Sequence, residues 1–310
     1  MSEPGERNCS VGRTVGILSD AWTFLVLRES LFGARRFENF QSVLGIPRAT
    51  LSERLRKLTA QGILRQVPYS THPPRSEYRL TATGIDLYPA MVALMRFGDR
   101  YLSGTGSMPL ELVHRPCGHA CQPQVVCPAC GGEIAANRVQ YRDGPGAGRA
   151  PALPARRIRQ SADRGQFEHG RPCSVARALR IIGDRWSFLI IREAFFGVRR
   201  FDALQSSLRI ASNILADRLA RLTAEEILER TKYQDLPERH EYRLTARGKD
   251  LYAPLIVMMA WGDRWLAAGK PPLILTHRDC GADFTAAVVC DHCRAPVAAR
   301  DMGYELNYRL

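Results

Sequence analysis

Two groups of side chains in this sequence have the types and spacing of metal ligands. His114, Cys117, Cys127 and Cys130 follow the pattern His-x2-Cys-x9-Cys-x2-Cys, and His277, Cys280, Cys290 and Cys293 repeat it. Two ligands three positions apart can hold one ion, and a turn across the nine-residue gap would bring the pairs together. Three thiolates and one imidazole suit a closed, tetrahedral Zn2+ site of the structural kind. Gly118, Gly131 and Gly281 follow the knuckles, where tight turns need them. The spacing predicts up to two structural zinc ions per chain, one in each group. The plainer alternative is that these are small core cysteines, or that Cys-x2-Cys closes as a disulfide. His119 and Cys121 belong to the first group alone and are alternates or bystanders, while His292 lies inside the last knuckle and is expected outside the site. No His-x-Glu or His-Glu-x2-His stands beside the knuckles to supply a general base, so the chain reads as a non-enzyme.

Cys9 and Cys173 have a different setting. Each stands just ahead of a helical pattern, near Arg7 or Arg171 in sequence. A helix N-terminus and a cation both lower a thiol pKa, which makes these two the candidate redox thiols. Simple packing is the competing reading.

The doubling of both features reflects an internal repeat. "SDAWTFLVLRESLFGARRFENFQ" at 20–42 returns as "GDRWSFLIIREAFFGVRRFDALQ" at 184–206, with just over half of the positions identical. The offset of 164 continues through "YRLTATG" and "YRLTARG", and through "FGDRYL" and "WGDRWL". After one deleted residue it becomes 163 for "HRPCG" and "HRDCG". A period of half the chain means two domains rather than a solenoid. Between the copies, 142–170 is rich in Gly, Pro, Ala and Arg and reads as a linker able to span tens of ångströms. The expected division is a domain at 8–106 with a tail at 107–141, the linker, then a domain at 171–269 with a tail at 270–310.

The elements that must position these groups can be read in copy one. Val11, Val15 and Leu18 recur at helical spacing. Asp20 can cap a second helix that stops at Gly33. "RRFENFQSVLG" predicts a third helix and "IPRAT" a turn. "TLSERLRKLTAQG" predicts a fourth, with Leu51, Leu55 and Leu58 inward. "ILRQVPY" and "SEYRLT" read as strands around the loop "STHPPR". Thr81 then caps a long helix to Leu102, with Leu87, Met91, Leu94 and Met95 on one side. Helix, turn, helix and a hairpin with a basic tip make a winged helix-turn-helix. The fold class is mainly α with small β-wings (α+β): two such domains, each with a short zinc-ribbon-like appendage.

That motif order resembles the HxlR family of bacterial winged-helix transcriptional regulators. The matching elements are Cys9 and Cys173, Asp-x-Trp at 20–22 and 184–186, Arg-Glu at 28–29 and 192–193, and Gly-x-Arg-Arg-Phe at 33–37 and 197–201. "LSERLRKL" and Glu-Tyr-Arg-Leu-Thr with its following Gly complete the set. The resemblance covers nearly all of both copies and implies a cytoplasmic regulator that binds double-stranded DNA. Members pair as homodimers largely through terminal helices, so two copies imply either an intramolecular pseudo-dimer or a homodimer of chains. It also implies a thiol at Cys9 or Cys173 that responds to an electrophile or oxidant, with a small-molecule effector as the other route. Ser10 and Ser174 stand where many family members have Pro.

The DNA-binding candidates follow from position. In copy one they are Arg35 and Arg36 beside the turn, Arg48, Thr50, Ser52, Arg54, Arg56 and Lys57 on the recognition helix, and His72 and Arg75 at the hairpin tip. Copy two offers Arg199, Arg200, Ser212, Asn213, Arg218, Arg221, Arg239 and His240. These residue types suit phosphates and groove edges. Trp22 and Trp186 read as core. Copy two also carries Asp217, Glu225, Glu226 and Glu229, so the alternative is that it serves dimerisation or effector sensing rather than DNA.

Bulk properties agree. The formal net charge is +13 and the pI about 9.7, which favours a polyanionic partner. Of the 44 basic residues only four are Lys, and Arg is the better bidentate donor to phosphate and guanine. No apolar run has the length of a membrane span, and "MSEPGERNCS" has no apolar signal region. The expected compartment is the cytoplasm, where nine cysteines serve as ligands or reactive thiols rather than structural disulfides.

Overall fold

A computed structural model describes residues 6–18, 21–72, 74–103, 108–150, 171–236 and 238–308. The copy-one elements are β1 (Glu6–Arg7), α1 (Ser10–Leu18), α2 (Ala21–Leu31), α3 (Phe37–Leu44), α4 (Arg48–Ala60), β2 (Leu64–Thr71), β3 (Pro74–Leu80), α5 (Ala82–Ile85) and α6 (Tyr88–Leu102). Its tail supplies β4 (Leu110–His114), β5 (His119–Ala120), β6 (Gln124–Val126) and β7 (Val139–Asp143), and β8 (Arg149–Ala150) follows. Copy two gives α7 (Ser174–Ile182), α8 (Arg185–Phe195), α9 (Phe201–Leu208), α10 (Ser212–Ala224), β9 (Leu228–Gln234), β10 (Arg239–Leu244), α11 (Ala246–Lys249) and α12 (Tyr252–Leu266). Its tail adds β11 (Leu273–His277), β12 (Asp283–Phe284), β13 (Ala287–Val289) and β14 (Met302–Leu306).

The chain packs as two compact units, and neither is one copy. One unit spans Ile17–Gln124 with Ile158–Arg180 and Val288–Leu310; the other spans Met1–Gly16 and Val125–Arg157 with Ile181–Ala287. The expected boundaries are 106/107, 141/142 and 170/171, and each unit gathers residues from both sides of them. The first of those boundaries, the proposed cap Asp20 and most of the linker lie outside the described residues. The linker's first residues are ordered: Arg142 and Asp143 end strand β7.

In the unit built on copy one, α2 is the central helix, buried from Ala21 to Ser30. Gly45 ends α3 in the left-handed conformation and donates its N–H to the Gln41 carbonyl at 2.9 Å, which turns the chain for α4. Pro47 immediately precedes α4, which buries Leu51, Leu55 and Leu58. Helix α4 starts two residues earlier than its apolar pattern suggests, so Arg48 lies in its first turn. The hairpin β2–β3 is longer than expected, with pairing from Leu64–Leu80 out to Thr71–Pro74. Thr81 accepts the Gly84 N–H at 3.2 Å and caps only the one-turn helix α5. The long helix restarts at Tyr88, with Pro89 in its first turn. Gly84 lets α5 pack closely on the backbone ahead of β2: a Cβ there would sit 2.3 Å from the Ile63 carbonyl oxygen.

Copy two then completes this unit. Helix α7 crosses α6 at Gly98, where a Cβ would meet the Ser174 carbonyl oxygen at 2.1 Å. Ser174 donates its hydroxyl to Asp99. Strand β14 pairs antiparallel with β4, from Met302–His114 to Leu306–Leu110. The Tyr304 ring stands edge-on to Phe32 at 4.8 Å.

The other unit repeats the plan with the copies exchanged. Helix α1 crosses α12 at Gly262, where a Cβ would lie 2.6 Å from Thr14 Oγ1. Ser10 donates to Asp263, Thr14 to the Met258 carbonyl at 3.1 Å and Arg13 to the Leu266 carbonyl at 3.1 Å. Strand β7 pairs with β11 from Val139–His277 to Asp143–Leu273, and Tyr141 stands edge-on to Phe196 at 4.9 Å. Each unit thus borrows a first helix and a last strand from the opposite copy.

Candidate nucleic-acid interface and thiol clusters

Helices α3 and α4 with the β2–β3 wing form the candidate DNA surface of copy one. Arg48, Ser52 and Arg56 are exposed along α4, while Thr50 and Lys57 are half-buried. Arg54 is largely covered and lies 3.1 Å from Glu53. Arg48 donates to Gln41 Oε1 at 3.0 Å, and its guanidinium lies 5.0 Å from the Phe37 ring centre, contacts that orient it at the helix start. Arg35 and Arg36 are exposed ahead of α3. The Arg35 carbonyl accepts the Tyr78 N–H at 2.7 Å, which stitches this turn to the wing. His72 and Arg75 are exposed at the wing tip.

Copy two builds the same frame with different side chains. The Arg199 carbonyl accepts the Tyr242 N–H at 2.8 Å, and Arg199, Arg200, Ser212, Asn213 and Arg239 are exposed. His240 is half-buried, 2.9 Å from Arg230 and 3.1 Å from Glu238. Arg218 corrects the sequence reading. It is 8% exposed and donates to Asp184 at 3.1 Å and to Asp217. Asp184 in turn caps α8 by accepting the N–H groups of Trp186 and Ser187 at 3.0 and 3.1 Å. Arg218 is therefore structural: its guanidinium neutralises a helix cap instead of facing a groove. Arg221 lies 3.8 Å from the same carboxylate. Trp22 is buried as expected, whereas Trp186 is half-buried beneath Arg185.

Two residues of the surface escaped the sequence reading. Arg36 lies over Tyr69 at 4.7 Å and Arg200 over Tyr233 at 5.2 Å, both tyrosines exposed on the wing. The signal was present, since the two pairs share the offset of 164. A cation held over an aromatic face is pre-set in direction.

The two early cysteines face arginines of the opposite copy. Cys173, half-buried, lies against Arg28, and Cys9, buried, against Arg192. Each guanidinium also pairs with its neighbour, Glu29 or Glu193, at 2.6 Å. Burial opposes the charge on both arginines, but the cysteine and carboxylate beside each outweigh it and raise the pKa. Arg171 reaches Glu29 at 3.8 Å, and Arg7 lies over Phe196 at 4.5 Å.

The eight candidate ligand residues gather into two clusters, but not by copy. His114 and Cys117 meet Cys290 and Cys293, whereas Cys127 and Cys130 meet His277 and Cys280; within each set the ligand atoms lie within 4.8 Å of one another. This overturns the expectation that each tail closes on itself. The reason is local. After the first knuckle the chain runs back along β4 as β5 and out again as β6, and β7 and β14 pair with strands of the opposite tail. His114 Nδ1 lies 3.3 Å from both Cys117 and Cys293 Sγ. His277 Nδ1 lies 3.3 Å from Cys130 and 3.5 Å from Cys280, with Cys127 and Cys280 Sγ 3.9 Å apart. Burial raises the Cys127 and Cys290 thiols, but backbone N–H donors in their own knuckles outweigh it and hold both pKa values low. Cys121 is pushed up to about 12 by burial and by Cys290 beside it. The rings of His119 and His292 stack at 3.5 Å, and with Cys117 their ligand atoms lie within 4.8 Å of one another.

The fold and surface are those of a helix-turn-helix protein. The chain belongs to the HxlR-like helix-turn-helix family, whose model matches residues 17–105 and again 181–270. It is 48% identical over 137 residues to an uncharacterised HTH-type transcriptional regulator of Mycobacterium tuberculosis, covering 44% of this chain and 87% of that protein. It is 34% identical to the HTH-type transcriptional regulator YodB of Bacillus subtilis, over 30% of this chain and 83% of YodB. The solved structure of reduced YodB matches at 33% identity over 31% of this chain and 94% of that one, with a TM-score of 0.28. The family places the chain among transcriptional regulators rather than enzymes. Among the described residues no helix is long and apolar enough to cross a membrane.

Proposed function

We propose that this chain is a transcriptional regulator that carries both halves of a dimer on one polypeptide and reads an operator with two unequal half-sites. The observation that supports it most is the reciprocal exchange: helix α7 completes the unit of copy one and helix α1 that of copy two. Terminal helices are where relatives would pair as separate chains, and here both partners are covalently present. Each unit keeps an exposed recognition helix and wing, and the +13 charge suits phosphate contacts. Half-sites one or two helical turns apart suit two such readers. Metal-dependent catalysis has no support from the family.

The test is selection of bound duplexes from a random library by the whole chain at two salt concentrations. The reading requires enrichment of a two-part motif with unlike halves that persists at the higher salt. Diffuse binding that vanishes with salt would reduce the interaction to charge alone and sink the proposal.

A second reading has its own observation. Copy two replaces Arg48, Ser52 and Arg56 with Ser212, Ala216 and Ala220 and buries Arg218, which suits an auxiliary module that contributes little to DNA affinity. A motif with one half only would favour it. Control by an electrophile would act first through Cys173, which is half-buried, rather than through the buried Cys9.

A further inference from the structure

We propose that the chain binds two zinc ions and that each is held jointly by both copies, the His-x2-Cys knuckle of one with the Cys-x2-Cys knuckle of the other. One site is His114, Cys117, Cys290 and Cys293; the other is Cys127, Cys130, His277 and Cys280. This inference is independent of the DNA-binding reading, because it rests on residues remote in sequence from the recognition helices and wings.

The geometry fits the ion. A tetrahedral zinc with Zn–S of about 2.3 Å and Zn–N of about 2.0 Å separates two sulfurs by about 3.8 Å and a nitrogen from a sulfur by about 3.5 Å. The observed Cys127–Cys280 separation of 3.9 Å and the four His–Cys separations of 3.3 to 3.5 Å are edges of such a tetrahedron. Both histidines present Nδ1 to the thiols and are fully buried. A disulfide would use two of the three sulfurs and leave the third thiol and the imidazole without a purpose in the cluster.

The backbone is shaped for the same task. Each knuckle closes by an N–H to carbonyl bond from the residue after its last ligand: Gly118 to His114, Gly131 to Cys127 and Gly281 to His277 at 2.8 Å, and Arg294 to Cys290 at 3.0 Å. All four closing residues have positive φ. The Gly132 N–H points at Cys130 Sγ at 3.4 Å, and a Cβ on Gly132 would stand 3.1 Å from the His277 ring. On binding, each site takes up one Zn2+ and releases three thiol protons to solvent, leaving a site of net charge −1. The ion then fixes β7 against β11 in one unit and β14 against β4 in the other.

The ligand sets can be told apart by metal stoichiometry. Zinc per chain would be measured by release to a chromophoric chelator from reduced, full-length protein, with an expected value of two. The double variant Cys117→Ser/Cys293→Ser strikes one shared site and keeps one zinc, whereas Cys117→Ser/Cys130→Ser strikes both and keeps none. Closure within each copy gives the opposite pattern and would overturn the proposal, as would an unaltered chain that holds no zinc after expression in zinc-supplemented medium. If a variant fails to fold, the unaltered chain loaded with cadmium-113 answers the same question by through-bond NMR. One cadmium should correlate with the β-protons of Cys117, Cys290 and Cys293 and the other with those of Cys127, Cys130 and Cys280; correlation of one ion with Cys117 and Cys127 together rules the shared sites out.

Discussion

Helices α4 and α10 occupy corresponding places in the two copies, yet they face outward with different chemistry. Exposed Arg48 and Arg56 of α4 correspond to Ser212 and Ala220 of α10, and Glu53 to the exposed Asp217. Inward, Leu51, Leu55 and Leu58 correspond to Leu215, Leu219 and Leu222 without change of type. The packing face is thus common to both copies and the solvent face is not. Copy one offers cations of a kind that suit phosphate, and copy two offers at those places smaller, uncharged side chains of a kind that suit base edges. The same contrast appears in the backbone. Copy one places Gly45, Gly62 and Gly131 at left-handed positions where copy two has Arg209, Glu226 and Arg294.

The largest effect should come from what the copies share. Gly98→Leu and Gly262→Leu each drive a side chain into the backbone or hydroxyl of a borrowed helix, and each should cost roughly 3 kcal/mol. Chemical denaturation should show the two losses to be alike; a loss confined to one variant would mean that only one exchange supports the fold.

Next comes the difference between the recognition helices. Arg48→Ala with Arg56→Ala should weaken specific DNA binding by about 10- to 100-fold and reduce its salt dependence by about two counterions. Ser212→Ala with Asn213→Ala should leave the salt slope unchanged and relax sequence preference in one half-site. Titration by fluorescence anisotropy at several salt concentrations separates these outcomes, and equal salt slopes for both variants would erase the contrast.

Smaller effects should follow from the backbone. Arg209→Gly removes a non-glycine residue from a left-handed helix end and should stabilise the chain by up to about 1 kcal/mol, the penalty for a Cβ there less the extra entropy of unfolded glycine. Gly45→Arg should cost a similar amount, measured as paired shifts in melting temperature.

The smallest effect concerns pH. Burial raises the pKa of Asp99 and Asp263, against the hydrogen bonds from Ser174 and Ser10 and the charges of Arg177 and Arg13. A carboxyl raised in the folded state binds its proton more tightly there than in the unfolded chain. The stability this contributes is complete below the unfolded value and is lost as pH rises through the folded one. Asp99→Asn with Asp263→Asn should therefore raise the melting temperature by roughly 1–3 °C at neutral pH, and the gain should fade toward acid. A gain that grows on acidification would reverse the assignment.

The helices and wing strands of copy one were legible because their apolar spacing is local, whereas the short tail strands β4–β7 and β11–β14 carry too few residues for a pattern. Boundaries slipped where one residue has two roles: Pro47 looks like a turn but precedes the first turn of α4, and Thr81 caps one turn rather than a long helix. That the eight candidate ligand residues would cluster was legible from their type and spacing. Their grouping was not, because sequence spacing cannot say whether a nine-residue gap folds back or leads away. The same limit hid the partners of Cys9 and Cys173, since Arg192 and Arg28 are distant in the chain. Arg218 was misread because a cation on a recognition helix looks alike whether it meets phosphate or Asp184.

The reciprocal borrowing of α1 and α7 has a consequence for inheritance. In an assembly of identical chains every substitution is made twice, so a change that improves one side must be tolerated on the other. Here both sides are encoded once each, and a substitution falls on one side alone. Under the proposed reading, selection could act on Ser212 without touching Arg48, and the target sequence would be released from having to be palindromic.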